Sequence, residues 1–186
     1  MQHPKIHKRR LACENSKFEV FFDDIEASNG ERIEDYLVVA PRQRTKKRVT
    51  GVAILPIRNG KIGLIQMYRH GIQKDVWEIP RGFMEDKEDE KFSALRELEE
   101  ETGLTCKPEN LTFIGYITPE ASTYDARGAL YIANPCAPLQ DYKPNEMGHH
   151  RFQFFTIKEV EQLIEQSEIE DVSTLICFYR YLAKLK

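Results

Sequence analysis

Between Gly82 and Leu104 the chain reads GFMEDKEDEKFSALRELEEETGL, and this stretch constrains the fold most. The residues from Asp89 to Thr102 suit a helix, and Gly103 supplies its stop. At about 100° per residue, Glu97, Glu100 and Glu101 fall on one face, and Phe92, Leu95 and Leu98 on nearly the opposite one. The expectation is a helix packed through its apolar face. Like charges three and four residues apart destabilise a helix by a few tenths of a kcal/mol. Partly buried, a pair at about 5 Å in an effective dielectric near 20 repels by roughly 3 kcal/mol. Either water solvates this acidic face, or a cation sits among its oxygens.

The rest of the chain is mostly strand. KFEVFFDDIEASNGERIEDYLVVA reads as strand, turn, strand, with Ser28-Asn29-Gly30 as the turn. A basic connector, PRQRTKKR, follows. VTGVAILPI and KIGLIQMYR form a second hairpin through Arg58-Asn59-Gly60, and VWEIPRG is a short strand ending in a Pro-containing turn. After the acidic helix come three more strand candidates, LTFIGYITP, GALYIANP and HRFQFFTI. KEVEQLIEQS and VSTLICFYRYLAKL are amphipathic helices. One central helix, two late ones and many strands predict a mixed sheet covered by helices.

With 186 residues the chain suffices for one well-buried core. A net charge of −3 argues against a general nucleic-acid binder. No apolar run reaches the length of a membrane span. The basic N-terminus has no apolar stretch behind it, so it does not read as a secretory signal. Cys13, Cys106, Cys136 and Cys177 are scattered without a CxxC pair, as reduced thiols of a cytoplasmic protein are. His149 and His150 are adjacent on a strand and point to opposite faces. They read as surface or edge residues, not as a metal pair.

Hard divalent cations prefer carboxylate oxygens. Glu97, Glu100 and Glu101 can converge on such an ion, and Glu88 can join them if its loop folds back. Arg96 can orient a glutamate through a bidentate contact. Gly103 fits a left-handed cap and Gly82 a tight turn. Glu85, Asp86, Asp89, Glu90 and Glu99 read as simply exposed.

Gly82, Glu88, Arg96-Glu97-Leu98, Glu100-Glu101, Gly103 and Leu104 match the signature of the Nudix hydrolases at every defined position, and the chain resembles that family. The resemblance implies an α/β fold, an α/β/α sandwich around a mixed β-sheet, over residues 46–186. An N-terminal β-hairpin element over residues 1–45 precedes it. It further implies metal-dependent hydrolysis of a pyrophosphate linked to a nucleoside. The metal, Mg²⁺ or Mn²⁺, would be held by Glu88, Glu97, Glu100, Glu101 and the backbone carbonyl of Arg81, with Arg96 orienting.

Pro119 stands fifteen positions past Leu104, a spacing that resembles the ADP-ribose and nucleotide-sugar pyrophosphatases. QMYRHG resembles that subfamily's Q-x-R strand and would bring Arg69 to substrate phosphate or ribose. VWEIPRGF resembles its approach to the signature, with Arg81 in place of a small residue at the rim. The IEDVSTLICFYRYL segment resembles its last helix. A subfamily glutamate is replaced here by Tyr124. Glu120 and Asp125 flank it as candidate bases, Glu120 ranked first as nearer the strand end, with Glu100 or Glu101 as the alternative. The resemblance also implies a homodimer that exchanges its N-terminal element. Phe21, Phe22 and Tyr36 are candidates to stack on the base, and Arg44 within the Arg42–Arg48 cluster could meet phosphate. Two other functions stay open: a dinucleoside polyphosphate or cap hydrolase, and a non-catalytic nucleotide sensor.

Overall fold

A computed structural model describes residues 3–144 and 147–185. The chain divides into two compact units. One takes the chain up to Thr50 together with Thr118–Arg127; the other takes Gly51–Ile117 and the chain from Gly128 on.

The first unit is built on an antiparallel sheet of three strands, β1 (Lys5–Glu14), β2 (Phe18–Glu26) and β3 (Arg32–Pro41), in that order. The turn between β2 and β3 closes through Gly30 N–H to the carbonyl of Ala27 at 3.0 Å, with Gly30 at φ 86°. The sequence suggested only β2 and β3. β1 lacks a buried apolar face, so it carries no period-two signal. Charge holds it instead: the basic run KIHKRR lies against the acidic run DDIE. Arg9 grips both oxygens of Asp23 at 2.7 and 2.6 Å, Arg10 pairs with Asp24 at 3.2 Å, and His7 lies 3.1 Å from Glu26. Asp23 is buried, so losing Arg9 would leave an uncompensated buried carboxylate. The segment Thr118–Arg127 is laced onto β3 by backbone bonds, Val39 N–H to Thr123 O at 2.8 Å and Asp125 N–H to Val39 O at 2.9 Å. The rings of Phe18 and Tyr124 add a contact at 6.1 Å.

The second unit carries all but the first residues of β4 (Val49–Arg58) and β10 (Arg127–Ala133), together with β5 (Lys61–Arg69), β6 (Lys74–Glu78), β7 (Arg81–Phe83), α1 (Glu90–Thr102), β8 (Leu104–Thr105), β9 (Leu111–Ile117), β11 (Ala137–Pro138), β12 (His149–Phe155), α2 (Ile157–Glu165) and α3 (Val172–Leu185). Its mixed sheet runs β12-β5-β4-β10-β9, with β6 beside β5 and β7 beside β4. Asn59 and Gly60 join β4 to β5 with φ of 52° and 72°, the left-handed pair of a two-residue type I′ turn. Leu55, Ile57, Ile62 and Leu64 pack beneath α2 and α3 with Trp77, Ile79, Val160, Cys177 and Phe178. Each such aliphatic side chain, fully buried, is worth about 1.5–3 kcal/mol. Ala94 and Leu98 of α1 and the alternate β4 residue Ile54 are fully buried outside that cluster. Helices thus cover both faces of the sheet. β8 and β11 form a separate small ladder, Leu104 opposite Pro138.

β12 is an edge strand, as expected for the His149–His150 pair, but His149 is not on the surface. It is buried, with its ring 5.5 Å from that of Tyr142. His150 is exposed and meets Asp75 at 2.9 Å. Among the described residues no helix is long and apolar enough to cross a membrane.

Candidate active site

The acidic helix is α1. Asp89 caps it, its side chain accepting from Phe92 N–H at 2.8 Å, and Gly103 ends it at φ 67° with its N–H on Glu99 O at 2.8 Å. The packing face is not the one expected. Ser93, Ala94, Glu97, Leu98, Glu101 and Thr102 are buried, whereas Phe92 is 59% exposed. Two glutamates therefore lie on the side of the helix that faces the protein, at 6% exposure for Glu97 and 2% for Glu101. Of the five acids read as exposed, Glu90 and Glu99 are half-buried, and Glu90 accepts from the Tyr116 hydroxyl at 3.1 Å.

Arg96 is the hub that makes this arrangement tolerable. Its Nε and Nη2 grip the two oxygens of Glu88 at 3.0 and 3.1 Å, and Nη1 donates to both Glu97 and Glu100 at 2.8 Å. Nη2 also reaches the carbonyl of Phe83 at 3.0 Å. Such charge-assisted bonds are about twice as strong as neutral ones. The Glu88 loop does fold back onto the helix.

β7 supplies the other wall. Arg81 N–H donates to Glu101 Oε2 at 2.7 Å. A Cβ placed on Gly82 would lie 2.2 Å from the carboxylate of Glu97. The glycine is therefore required by close approach, not by a tight turn: it stands in a strand, opposite Val52 of β4. Glu97, Glu101 and the Arg81 peptide share one corner.

That corner offers only hard oxygen donors, the kind Mg²⁺ and Mn²⁺ take. As the side chains stand, no three His, Cys, Asp or Glu among the described residues enclose a common point. Arg96 lies between Glu88, Glu97 and Glu100. The donor set fits a divalent cation at the corner formed by Glu97, Glu101 and the Arg81 backbone, where no Cβ intrudes.

A second charge cluster lies beside it. Glu78, at 0% exposure, is held by Arg69, with Nε at 3.1 Å from Oε2, and by Arg81 Nη2 at 3.4 Å. Arg81 Nη2 also lies 3.4 Å from Asp171. Arg69, expected at substrate phosphate or ribose, is committed here to Glu78. Sequence reading gave no role to Glu78 or Asp171. The available signal for Glu78 was an acid set between Trp77 and Ile79 in an otherwise buried run.

The first unit contains a cavity of about 390 Å³ lined by Arg9, Tyr36, Arg48, Ser122, Asp125 and Arg127 among others. The Tyr36 hydroxyl donates to the carbonyl of Ser122. Phe21 does not line this cavity; its ring lies 4.9 Å beneath the Arg9 guanidinium. Arg44 donates to Pro41 O at 3.1 Å and stands 4.0 Å from Asp125. Asp125, its side chain 10% exposed, pairs with Arg48 at 2.8 Å. Glu120 is exposed and spends its carboxylate on Ser122, accepting from that residue's N–H at 2.9 Å. Asp125 is thus the better fixed of the two acids, the reverse of the ranking by distance from the strand end. Arg9 escaped sequence reading because nothing local to KIHKRR marks it.

The Arg96 grip, helped by the Ser93 hydroxyl at 2.6 Å, holds the Glu88 carboxyl at about 2 against an ordinary 4.5. A carboxylate held below its unfolded value stabilises the fold in full above that value and loses the contribution as pH falls through the folded one. Glu88→Gln should therefore lower the urea midpoint at neutral pH, and the gap to the parent chain should close as pH drops from 4.5 toward 2. A gap that does not change with pH would refute the pairing.

The NUDIX domain model matches residues 47–175. The chain is 34% identical over 113 residues to the CMP-5'-(N-acetyl-N-hydroxy-3-aminopropyl)phosphonate hydrolase of Streptomyces rubellomurinus, covering 60% of this chain and 50% of that one. It thus spans half the length of that relative. It is 32% identical to the methanol dehydrogenase activator of Bacillus methanolicus over 83% of this chain and 79% of the relative. It is 28% identical to the ADP-ribose pyrophosphatase of Bacillus subtilis over 84% and 80%. Among solved structures, an ADP compounds hydrolase shares the fold with a TM-score of 0.82 at 21% identity, over 100% of this chain and 95% of that one. With its matched domain and its complete acidic signature, the chain belongs to the NUDIX family.

Proposed function

We propose that this Nudix hydrolase cleaves the pyrophosphate of nucleoside diphosphate sugars such as ADP-ribose, giving a nucleoside monophosphate and a sugar phosphate. The observation that carries it is the corner where Glu97 and Glu101 meet the Arg81 peptide, with Arg96 holding Glu88, Glu97 and Glu100. Nudix hydrolases generally use divalent metals. Glu97, Glu101 and the Arg81 carbonyl would hold Mg²⁺ or Mn²⁺, with Glu88 and Glu100 within Arg96's reach to join them. The cation supplies polarisation of the phosphoryl oxygens and neutralises their charge. The chain supplies position: Arg96 keeps the carboxylates aligned, and Gly82 lets Glu97 lie against the strand. Two similar proteins named for nucleotide substrates support the substrate class.

In the first unit, Tyr36 is the proposed contact for the nucleobase. It lines a cavity that also presents Arg9 and Arg48, and stacking tolerates any base. Asp125 and Glu120 remain the proposed bases outside the signature. Turnover of Asp125→Asn and Glu120→Gln that stays at the parent level across pH would assign the base to Glu100 or Glu101. The N-terminal sheet leaves Ile6, Leu11, Ile33 and Leu37 exposed, which supports its proposed exchange within a homodimer. A chain that light scattering finds monomeric and fully active would remove that part.

A panel of nucleotide sugars, dinucleoside polyphosphates and capped RNA, with products separated by chromatography, tests the substrate. Nucleotide sugars should be cleaved fastest, with several bases accepted. Faster cleavage of dinucleoside polyphosphates or caps would overturn the substrate class and leave the family unchanged.

A further inference from the structure

We propose that Asp171 is a positioning residue for the acidic corner, acting through Arg81 on the carboxylate of Glu101. This rests on the reading that Glu101 and the Arg81 carbonyl hold a divalent cation. Asp171 stands just before α3, its side chain 9% exposed. Its Oδ2 accepts from the backbone N–H and the hydroxyl of Thr174, each at 2.8 Å. Those bonds alone make a helix cap. Its other oxygen, Oδ1, lies 3.4 Å from Arg81 Nη2, which capping does not require.

Thr174 extends the connection. Its hydroxyl oxygen accepts from Ile79 N–H at 3.0 Å. One carboxylate therefore fixes the segment leading into β7 at two points, at Ile79 through Thr174 and at Arg81 directly. Between them, the carbonyl of Pro80 accepts from Ile54 N–H at 3.0 Å. Arg81 held in this way aims its own N–H at Glu101 Oε2.

Charge makes the same point. Arg69 and Arg81 face Glu78 and Asp171, two cations against two anions. Neutralising Asp171 leaves both guanidinium groups on Glu78 alone. Arg81 is then free to turn toward other carboxylates, and its peptide loses one of its two anchors.

Mn²⁺ titrated into the full-length chain, with free Mn²⁺ read by electron paramagnetic resonance, tests the proposal without any turnover. Asp171→Asn should raise the Mn²⁺ dissociation constant about tenfold, the lower end for a group that orients metal ligands, while the thermal midpoint stays near that of the parent. Arg81→Gln leaves the α3 cap intact and should produce the same rise; it decides the matter if Asp171→Asn does not fold. Glu170→Gln, whose carboxylate meets Lys74 at 2.9 Å at the surface, should leave binding unchanged. If folded Asp171→Asn or Arg81→Gln binds Mn²⁺ as the parent does while Glu101→Gln binds it weakly, the positioning role is wrong and the metal site stands. If the parent itself binds no Mn²⁺, the metal reading falls and the role of Asp171 with it.

Discussion

Glu97→Gln and Glu101→Gln should each lose at least about a hundredfold in turnover, since groups that merely orient metal ligands already cost 10–100-fold. Both carboxylates are buried on the side of α1 that meets β7, one against Gly82 and the other on the Arg81 N–H. Glutamine keeps the volume and still accepts a hydrogen bond through its amide oxygen. What it removes is a negative charge at the corner where the cation is proposed to bind. The fold should survive, because a neutral amide also relieves the repulsion between the two acids. Glu100→Gln should lose less, since that side chain is 49% exposed and its interaction with Arg96 is at the rim. Steady-state kinetics beside thermal melts separate the two effects. Parent-like turnover in both buried variants would remove these residues from the chemistry.

Gly82→Ala should be the second severe change, through a different route. The added methyl would lie 2.2 Å from the Glu97 carboxylate. Because the atoms it meets are the end of a flexible side chain, the fold can yield by rotating Glu97 away. The expected outcome is a chain that melts close to the parent but has lost most of its activity, the same outcome expected of Glu97→Gln. The backbone itself does not demand glycine here, since Gly82 lies in strand conformation. A large drop in thermal midpoint with turnover per folded molecule unchanged would show that the glycine serves packing instead.

Much of this fold is legible in the sequence where periodicity and turn chemistry agree. Asn59-Gly60 between two apolar runs, the α3 segment from Val172 to Leu185 and the stop at Gly103 all appear where the pattern puts them. The failures share a cause. Burial in this protein follows pairing as much as apolarity. The buried face of α1 holds Glu97 and Glu101 because Arg96 and the Arg81 N–H satisfy them, while Phe92 goes to solvent. β1 forms on ion pairs with β2, which no period-two pattern reports. The place of Thr118–Arg127 on β3 is set by main-chain bonds at Val39, and these leave no trace in side-chain identity. The signature residues of the site were legible; their neighbour Asp171 was not, because its contact with Arg81 is distant in sequence, whereas Glu78 carried only the signal of an acid within a buried run.

The activity proposed for the acidic corner, loaded with a divalent cation, is hydrolysis of a nucleotide-linked pyrophosphate. The most direct measurement incubates the full-length chain with ADP-ribose and Mg²⁺ or Mn²⁺, with and without a chelator, and identifies the products by chromatography. A nucleoside monophosphate and a sugar phosphate should form in equal amounts, only when the cation is free, and hardly at all with Glu101→Gln. Equal product formation in the presence of excess chelator, or undiminished formation by Glu101→Gln, would contradict it.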